Sequence, residues 1–504
     1  MNICIVGGGT AGWISAFVLS KKFINYKITL IESKNIPIIG VGEGVTGLLL
    51  DLFLDKDLGL DEFEFLNETQ ALPKYGILFT DWTKEKNKSF YSPIDGSYTN
   101  NLKYDLFLYN ALLQNKNLAY AGISGHYYEK NLMPWKILDN KLFFTGQKSY
   151  HIDAYKVGEF FKKRCNNINY IQDDVNSVTV KNNKIHSLKL KNKKIVFADY
   201  FFDCTGFAKT LMSKLKNKWL NNNDKLPVNR ALIFKISDKN KFFEKKCYTA
   251  AIAKNSGWIF EIPTRHKIGR GYIFDENFTN DNRVVDEISK HYKSKIEIVK
   301  DLKFTSGQYE NFWKSNCVVV GLSSSFLEPL QATSLHISIL TLLEFVKCLQ
   351  KGIDKNTINN FNNHMKNVVD DIKDFVQSTY MGNKTDSKFW KNITFHSKKS
   401  DRLKEILYIA KNYIITKEHM KEYYGYADHS LWNYNLLNLG YYNKDYIKKT
   451  FKKEKINMKA VNNDFIKFHN HMKNISKKMI TTEHLNSFLI KNENKILKTL
   501  YEKI

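Results

Sequence analysis

Three glycines in fixed register open the chain. Gly7, Gly9 and Gly12 stand between the apolar run Asn2–Val6 and a stretch from Trp13 to Lys22, in which Ile14, Phe17 and Val18 recur at helical spacing. Lys27–Ile31 then reads as a second strand, closed by the acidic Glu32. In a strand–turn–helix–strand unit each glycine has a steric reason. Gly7 permits the tight turn, Gly9 lets a phosphate group approach the backbone, and Gly12 lets the helix pack on the strand. Thr10 and Ala11 fall where the helix begins, and its unpaired N–H groups and partial positive charge suit a pyrophosphate. Glu32, 20 residues after Gly12, is placed to accept hydrogen bonds from ribose hydroxyls. The pattern specifies a dinucleotide-binding unit, without choosing between nicotinamide and flavin.

Later strands make that choice. Lys184–Leu190 and Ile195–Phe202 read as strands, the second running into Asp203-Cys204-Thr205-Gly206, and Cys317–Val320 ends at Gly321. A second glycine-terminated strand brings backbone to the cofactor again, which points to FAD. Beyond Ser334 the texture changes to long segments of helical periodicity with few glycines. The expected fold is α/β: an FAD-binding Rossmann-like domain of the flavin monooxygenase type, assembled from separated segments, with a mostly helical C-terminal part. The expected division is 1–340 for the FAD-binding core with interleaved substrate-side segments, and 341–504 for a helical substrate-capping region.

A formal net charge of +26 raises the question of nucleic acid. The charge is spread along the chain, lysine far outnumbers arginine, and Lys, Asn and Ile are abundant throughout, as A+T-rich coding produces. No nucleic-acid partner is expected. No apolar run approaches the roughly 20 residues needed to cross a bilayer, and the first strand begins at Asn2, so no membrane association and a cytoplasmic location are expected. The six cysteines are scattered without a C-x-x-C pair, as reduced thiols would be. His469 and His471 lie on different faces of a helix, so no metal site is expected.

Several further motifs follow in order. They are Ile39-Gly40-Val41-Gly42-Glu43, Ser149-Tyr150-His151-Ile152-Asp153-Ala154, Phe202-Asp203-Cys204-Thr205-Gly206-Phe207 and Gly257-Trp258-Ile259-Phe260-Glu261-Ile262-Pro263. Trp313-x-x-Asn316, Gly321-Leu322 and Phe326-Leu327-Glu328-Pro329-Leu330 come next, and Asp386-Ser387-x-Phe389-Trp390 last. Together with the opening Gly7–Trp13 segment, they make the chain resemble the flavin-dependent, tryptophan-type halogenases over roughly residues 1–390. The resemblance implies that FADH2, supplied by a separate and transiently bound flavin reductase, activates oxygen so that a halide ion becomes hypohalous acid. The oxidant then passes through a tunnel to a lysine beside an aromatic substrate. Gly40, Gly42, Glu43, Gly206, Gly321 and Leu330 join the fingerprint residues and Asp203 as implied cofactor contacts. Lys74, in Pro73-Lys74-Tyr75-Gly76, corresponds to the lysine. Trp258, Phe260, Ile262 and Pro263 correspond to the tunnel wall that keeps substrate from the flavin. Thr333 and Ser334 correspond to the halide site.

One departure concerns chemistry. Where the family has a second glutamate that assists the lysine or the arene, this chain has Gln331, which hydrogen-bonds but takes up no proton as a base. The family's tryptophan-clamping aromatics do not map onto the region after Trp390, so an indole, a phenol or a carrier-tethered pyrrole fits the motifs equally. The alternative activity is a flavin-dependent aromatic monooxygenase, and a non-enzymatic basic binding protein on a flavin scaffold is a third reading. A homo-oligomer is compatible with the sequence.

Overall fold

Four of the five residues in Asn2–Val6 are buried, because this strand is interior to a sheet. The computed structural model describes residues 1–36, 42–98, 103–138, 141–144, 149–237, 244–420, 426–492 and 499–501. Their backbone contacts group the chain into two units. The first comprises Met1–Ala71, Ile152–Asn222 and Thr305–Val369, and the second Leu72–His151, Asn223–Phe304 and Asp370–Ile504.

The first unit is built on a six-stranded sheet in the order Asn169–Gln172, Lys27–Glu32, Asn2–Val6, Tyr200–Asp203, Cys317–Val319, Trp313–Lys314. The first five strands run parallel and the last antiparallel. Ile5 lies opposite both Leu30 and Phe202, which sets the register of the centre. The Thr10–Lys22 helix follows the first strand, and the Thr333–Lys351 helix sets Phe345 against Phe202 and Trp313. The mixed α/β, Rossmann-like expectation is what the chain adopts.

Three details differ from the sequence reading. The run Ile195–Phe202 divides into Ile195–Val196, which pairs with Lys184–Leu190, and Tyr200–Asp203, which joins the parallel sheet. The break falls at exposed Phe197 and at Asp199, whose carboxylate accepts from the Asn2 backbone N–H. A division at 340 falls inside the Thr333–Lys351 helix, and the units change instead after Val369. That helix carries Phe345 onto the sheet, so the chain cannot leave the unit halfway along it. The segment Leu330–Lys351 is also long and apolar enough, by composition, to cross a bilayer, although half of its apolar stretch is buried within the protein. A helix that covers a parallel sheet needs the same residues as one that meets lipid.

The second unit has a seven-stranded sheet ordered Ile296–Lys303, Arg230–Ile236, Ile268–Phe274, Gly257–Pro263, Thr249–Lys254, Gly76–Thr80, Ser89–Pro93. The helix Asp281–Tyr292 covers it with Val284, Ile288 and Tyr292 against Leu232, Phe234, Tyr272 and Phe274. The C-terminal helices Lys388–His396, Asp401–Asn412, His429–Asn438, Lys444–Lys453, Met458–Ser476 and Thr482–Lys491 follow. Phe451 and Phe465 from these helices pack with Phe107, Leu108 and Tyr434 in a separate apolar core. The region is mostly helical, as the periodicity suggests. It also contributes the two-residue strand Ile480–Thr481, which pairs with Leu132–Met133.

Candidate active site

The glycines of the fingerprint are there for two distinct reasons. Gly7 has φ +115°, and a Cβ on it would overlap the Cys204 carbonyl; one on Gly12 would overlap the Gly7 carbonyl. These two positions are filled by the chain itself. A Cβ on Gly9 would meet nothing within 4 Å, and Gly9 immediately precedes the Thr10–Lys22 helix, whose N-terminus has no side-chain cap. Open space before an uncapped helix N-terminus suits a pyrophosphate. Gly206 (φ +64°) faces open space too, whereas Gly321 (φ +78°) comes so close to Ala11 that a Cβ would press on its methyl group. The residues therefore fit a dinucleotide.

Other predicted cofactor residues have tasks within the protein. The Thr10 hydroxyl donates to the Ala154 carbonyl at 2.8 Å. The Glu32 carboxylate accepts from the Tyr170 hydroxyl at 2.7 Å and from the Lys162 ammonium at 3.1 Å, so these two groups hold it beside Gly8. The Asp203 carboxylate, fully buried, accepts from the Thr205 N–H and hydroxyl and from the N–H groups of Leu211 and Met212. It shapes the loop that carries Gly206. Leu330 is buried in a short turn before the Thr333–Lys351 helix. Gly40 lies outside the described residues; Gly42, with φ +91°, lies within them.

Glu43 follows Gly42, and burial, reinforced by the charge of Asp153, pushes its carboxyl up to about 7 from 4.5. Between those values the folded chain holds a proton that the unfolded chain has released. Stability therefore falls as pH rises from about 4.5 to about 7 and stays lower above. The cost is at most about 3 kcal/mol. Glu43→Gln is expected to melt with the wild type near the lower limit and a few degrees higher at alkaline pH. Thermal denaturation of the cofactor-free protein across that range checks this, and parallel melting curves at all pH values would contradict it.

At the predicted halide position the backbone is unusual. Gln331 and Ala332 are consecutive left-handed residues, with φ 67° and 58°, and neither is glycine. Such residues cost on the order of 1–3 kcal/mol each. They turn the chain so that the helix starts at Thr333 with no side-chain cap on its first N–H groups. Thr333 is buried and Ser334 half-buried, with the Ser334 carbonyl accepting from Ser338. His336, on the same helix, shares a 2.8 Å hydrogen bond with Thr46, and burial pushes its ring down to about 4.

Lys74 is in the second unit. It ends the strand Leu72–Lys74, which pairs antiparallel with Ser149–Ile152 so that Lys74 lies opposite Ser149. Its neighbours are held firmly: the Tyr75 N–H donates to the Cys247 carbonyl, Trp135 donates to the Tyr75 hydroxyl, and a Cβ on Gly76 would overlap the Tyr91 ring. Lys74 is 2% exposed, and burial lowers its ammonium to about 8. Without its surrounding motif, nothing in the sequence separates it from an ordinary lysine in a lysine-rich chain.

Trp258, Phe260, Ile262 and Pro263 are all buried on the strand Gly257–Pro263. Trp258 donates to the Tyr380 hydroxyl at 3.0 Å, and its ring belongs to an aromatic group with Trp82, Phe260 and Tyr380; Trp390 packs on Trp82 and Tyr380. Trp82 and Tyr380 were invisible to motif reading, because single aromatics carry no spacing signal. His469 shares a 2.9 Å hydrogen bond with His126. Among the described residues no group of three or more His, Cys, Asp or Glu is placed to hold a metal.

Fold and fingerprint define a dinucleotide-binding α/β protein with a buried lysine in its second unit. The profile of the tryptophan halogenase family matches residues 2–450, and the chain belongs to that family. It is thus a flavin-dependent halogenase, with FAD as the cofactor and aromatic halogenation as the family's reaction. It is 29% identical to tryptophan 7-halogenase RebH of Lentzea aerocolonigenes over 417 residues, 77% of this chain and 78% of the relative. It is 27% identical to tryptophan 6-halogenase ThaL of Streptomyces albogriseolus over 415 residues, 77% of this chain and 78% of that one. Its fold matches the crystal structure of a tryptophan 6-halogenase (SttH) from Streptomyces toxytricini with a TM-score of 0.87 at 23% identity, covering 97% of this chain and 99% of that one.

Proposed function

We propose that this enzyme, with FADH2 from a separate reductase, uses oxygen and a halide to form hypohalous acid, and halogenates an electron-rich arene through Lys74. The observation that carries the reading is the burial of Lys74 and the lowering of its ammonium to about 8. With an ordinary value near 10.5, about one lysine in a thousand is neutral near pH 7.4. At about 8, roughly one in five is neutral. Burial thus supplies about 3 kcal/mol toward a free amine.

FADH2, held by the backbone around Gly7–Gly12, Gly42, Gly206 and Gly321, would supply the electrons that activate O2, and O2 is the oxidant that turns halide into hypohalous acid. The uncapped N–H groups at Thr333 and Ser334 would hold the halide, through charge and helix dipole. The neutral Lys74 amine attacks the halogen of hypohalous acid, forming an N–halogen bond as hydroxide leaves and takes the amine proton as water. The arene then takes the halogen, and the lysine nitrogen recovers a proton. Gln331 cannot remove the ring proton, so water or another carboxylate does so. A buried aromatic wall that includes Trp258 and Phe260 would keep the arene from the flavin.

The pH dependence tests this. Halogenation kcat is expected to rise from about pH 6.5, reach half its maximum near pH 8 and level off above. A rate that falls through the same range would assign the work to the ammonium instead. Indoles, phenols and carrier-bound pyrroles, assayed with chloride, bromide and iodide, identify the substrate class.

A further inference from the structure

His151 lies in the strand that pairs with the Lys74 strand, two residues beyond Ser149, which faces Lys74 directly. Residues two apart in a strand share a face, and diagonal pairs across an antiparallel ladder are about 7–8 Å apart at the backbone, within reach of long side chains. His151 is therefore a diagonal neighbour of Lys74 on one face of the ladder. Its ring is fully buried, and Nε2 shares a 2.9 Å hydrogen bond with the Thr249 hydroxyl, on the strand that runs beside Gly76–Thr80. Burial and then the Lys74 charge push the imidazole well below the ordinary histidine value, against the opposite pull of the Pro263 carbonyl. The ring is therefore neutral, and two cations do not sit side by side.

We propose that His151 is a positioning residue for Lys74: a neutral ring, clamped by Thr249, that fixes the lysine side chain where the oxidant and arene must meet. The inference rests on the reading of Lys74 given above. It accounts for a polar, titratable side chain at a fully buried position that an apolar residue would otherwise fill. Displacing a reacting group by about 1 Å costs up to about a hundredfold in rate without weakening substrate binding elsewhere.

The test uses the full-length enzyme with FAD, reductase, halide and an accepted arene. In His151→Phe, halogenation kcat is expected to fall at least about tenfold with KM for the arene within about twofold of wild type. Hypohalous acid formation, read with a soluble trap, should persist. His151→Gln, whose amide can still bond Thr249, should recover to within about threefold of wild type. Thr249→Val removes only the clamp and should lower kcat about fivefold; it decides the matter if the Phe variant does not fold. Unchanged kcat in folded His151→Phe or in Thr249→Val overturns the proposal, as does a Gln variant no better than Phe. Lys74→Ala, run alongside, separates the two readings. If it halogenates normally, the reading of Lys74 fails; if it is inactive while His151→Phe is normal, only this inference fails.

Discussion

Lys74→Ala is expected to lose halogenation by at least about a hundredfold while still producing hypohalous acid that a soluble scavenger traps. The expectation follows from what the side chain does in its strand. It is buried, its ammonium is lowered to about 8 by that burial, and its backbone is fixed by Tyr75 and Gly76. Alanine removes the nitrogen without disturbing those anchors. The variant should fold as well as wild type, since the cost of burying a charge is removed together with the methylene packing. Lys74→Arg sharpens the point. A guanidinium keeps the charge and donors but never becomes a neutral amine, so it should be as inactive as alanine. Activity in the arginine variant would contradict the amine chemistry while leaving the position important.

Gly12→Val and Gly9→Val should fail in different ways, and the contrast is the second large effect expected. At Gly12 a Cβ overlaps the Gly7 carbonyl, so helix and strand can no longer pack and the protein should be recovered unfolded or not at all. At Gly9 a Cβ meets nothing within 4 Å. That variant should melt within a degree or two of the cofactor-free wild type, yet bind FAD at least about a hundredfold more weakly. Flavin fluorescence titration together with thermal denaturation reads both quantities. A Gly9→Val protein that binds FAD normally would show that the open space before the helix is not where the pyrophosphate lies.

The difference between those glycines marks where sequence reading succeeds. The Gly7–Gly12 spacing is a local steric code, so it is legible without knowing what lies elsewhere in the chain. Lys74 is not a local matter. The strand it pairs with, Ser149–Ile152, is more than seventy residues away, and only the surrounding family motif distinguishes it from any other lysine. His151 belongs to a motif that gives it no role, because its partner Thr249 is about a hundred residues off and belongs to no motif. Position in the pattern points Asp203 and Glu32 to the cofactor. Asp203 organises the following loop, and Glu32 already accepts from Tyr170 and Lys162, partners that no spacing rule contains. The unit boundary was missed for the same reason. A change from strand-rich to helix-rich texture near Ser334 says nothing about which sheet the Thr333–Lys351 helix must cover.

The most direct test of the whole account is the mass of the product. The enzyme is supplied with FAD, a reductase, NADH, oxygen, bromide and an indole or phenol, and the same mixture is prepared without bromide. A product that has exchanged one hydrogen for bromine, recognised by its isotopic doublet and absent without bromide, is the predicted result. A product that gains one oxygen atom whether or not bromide is present would contradict it.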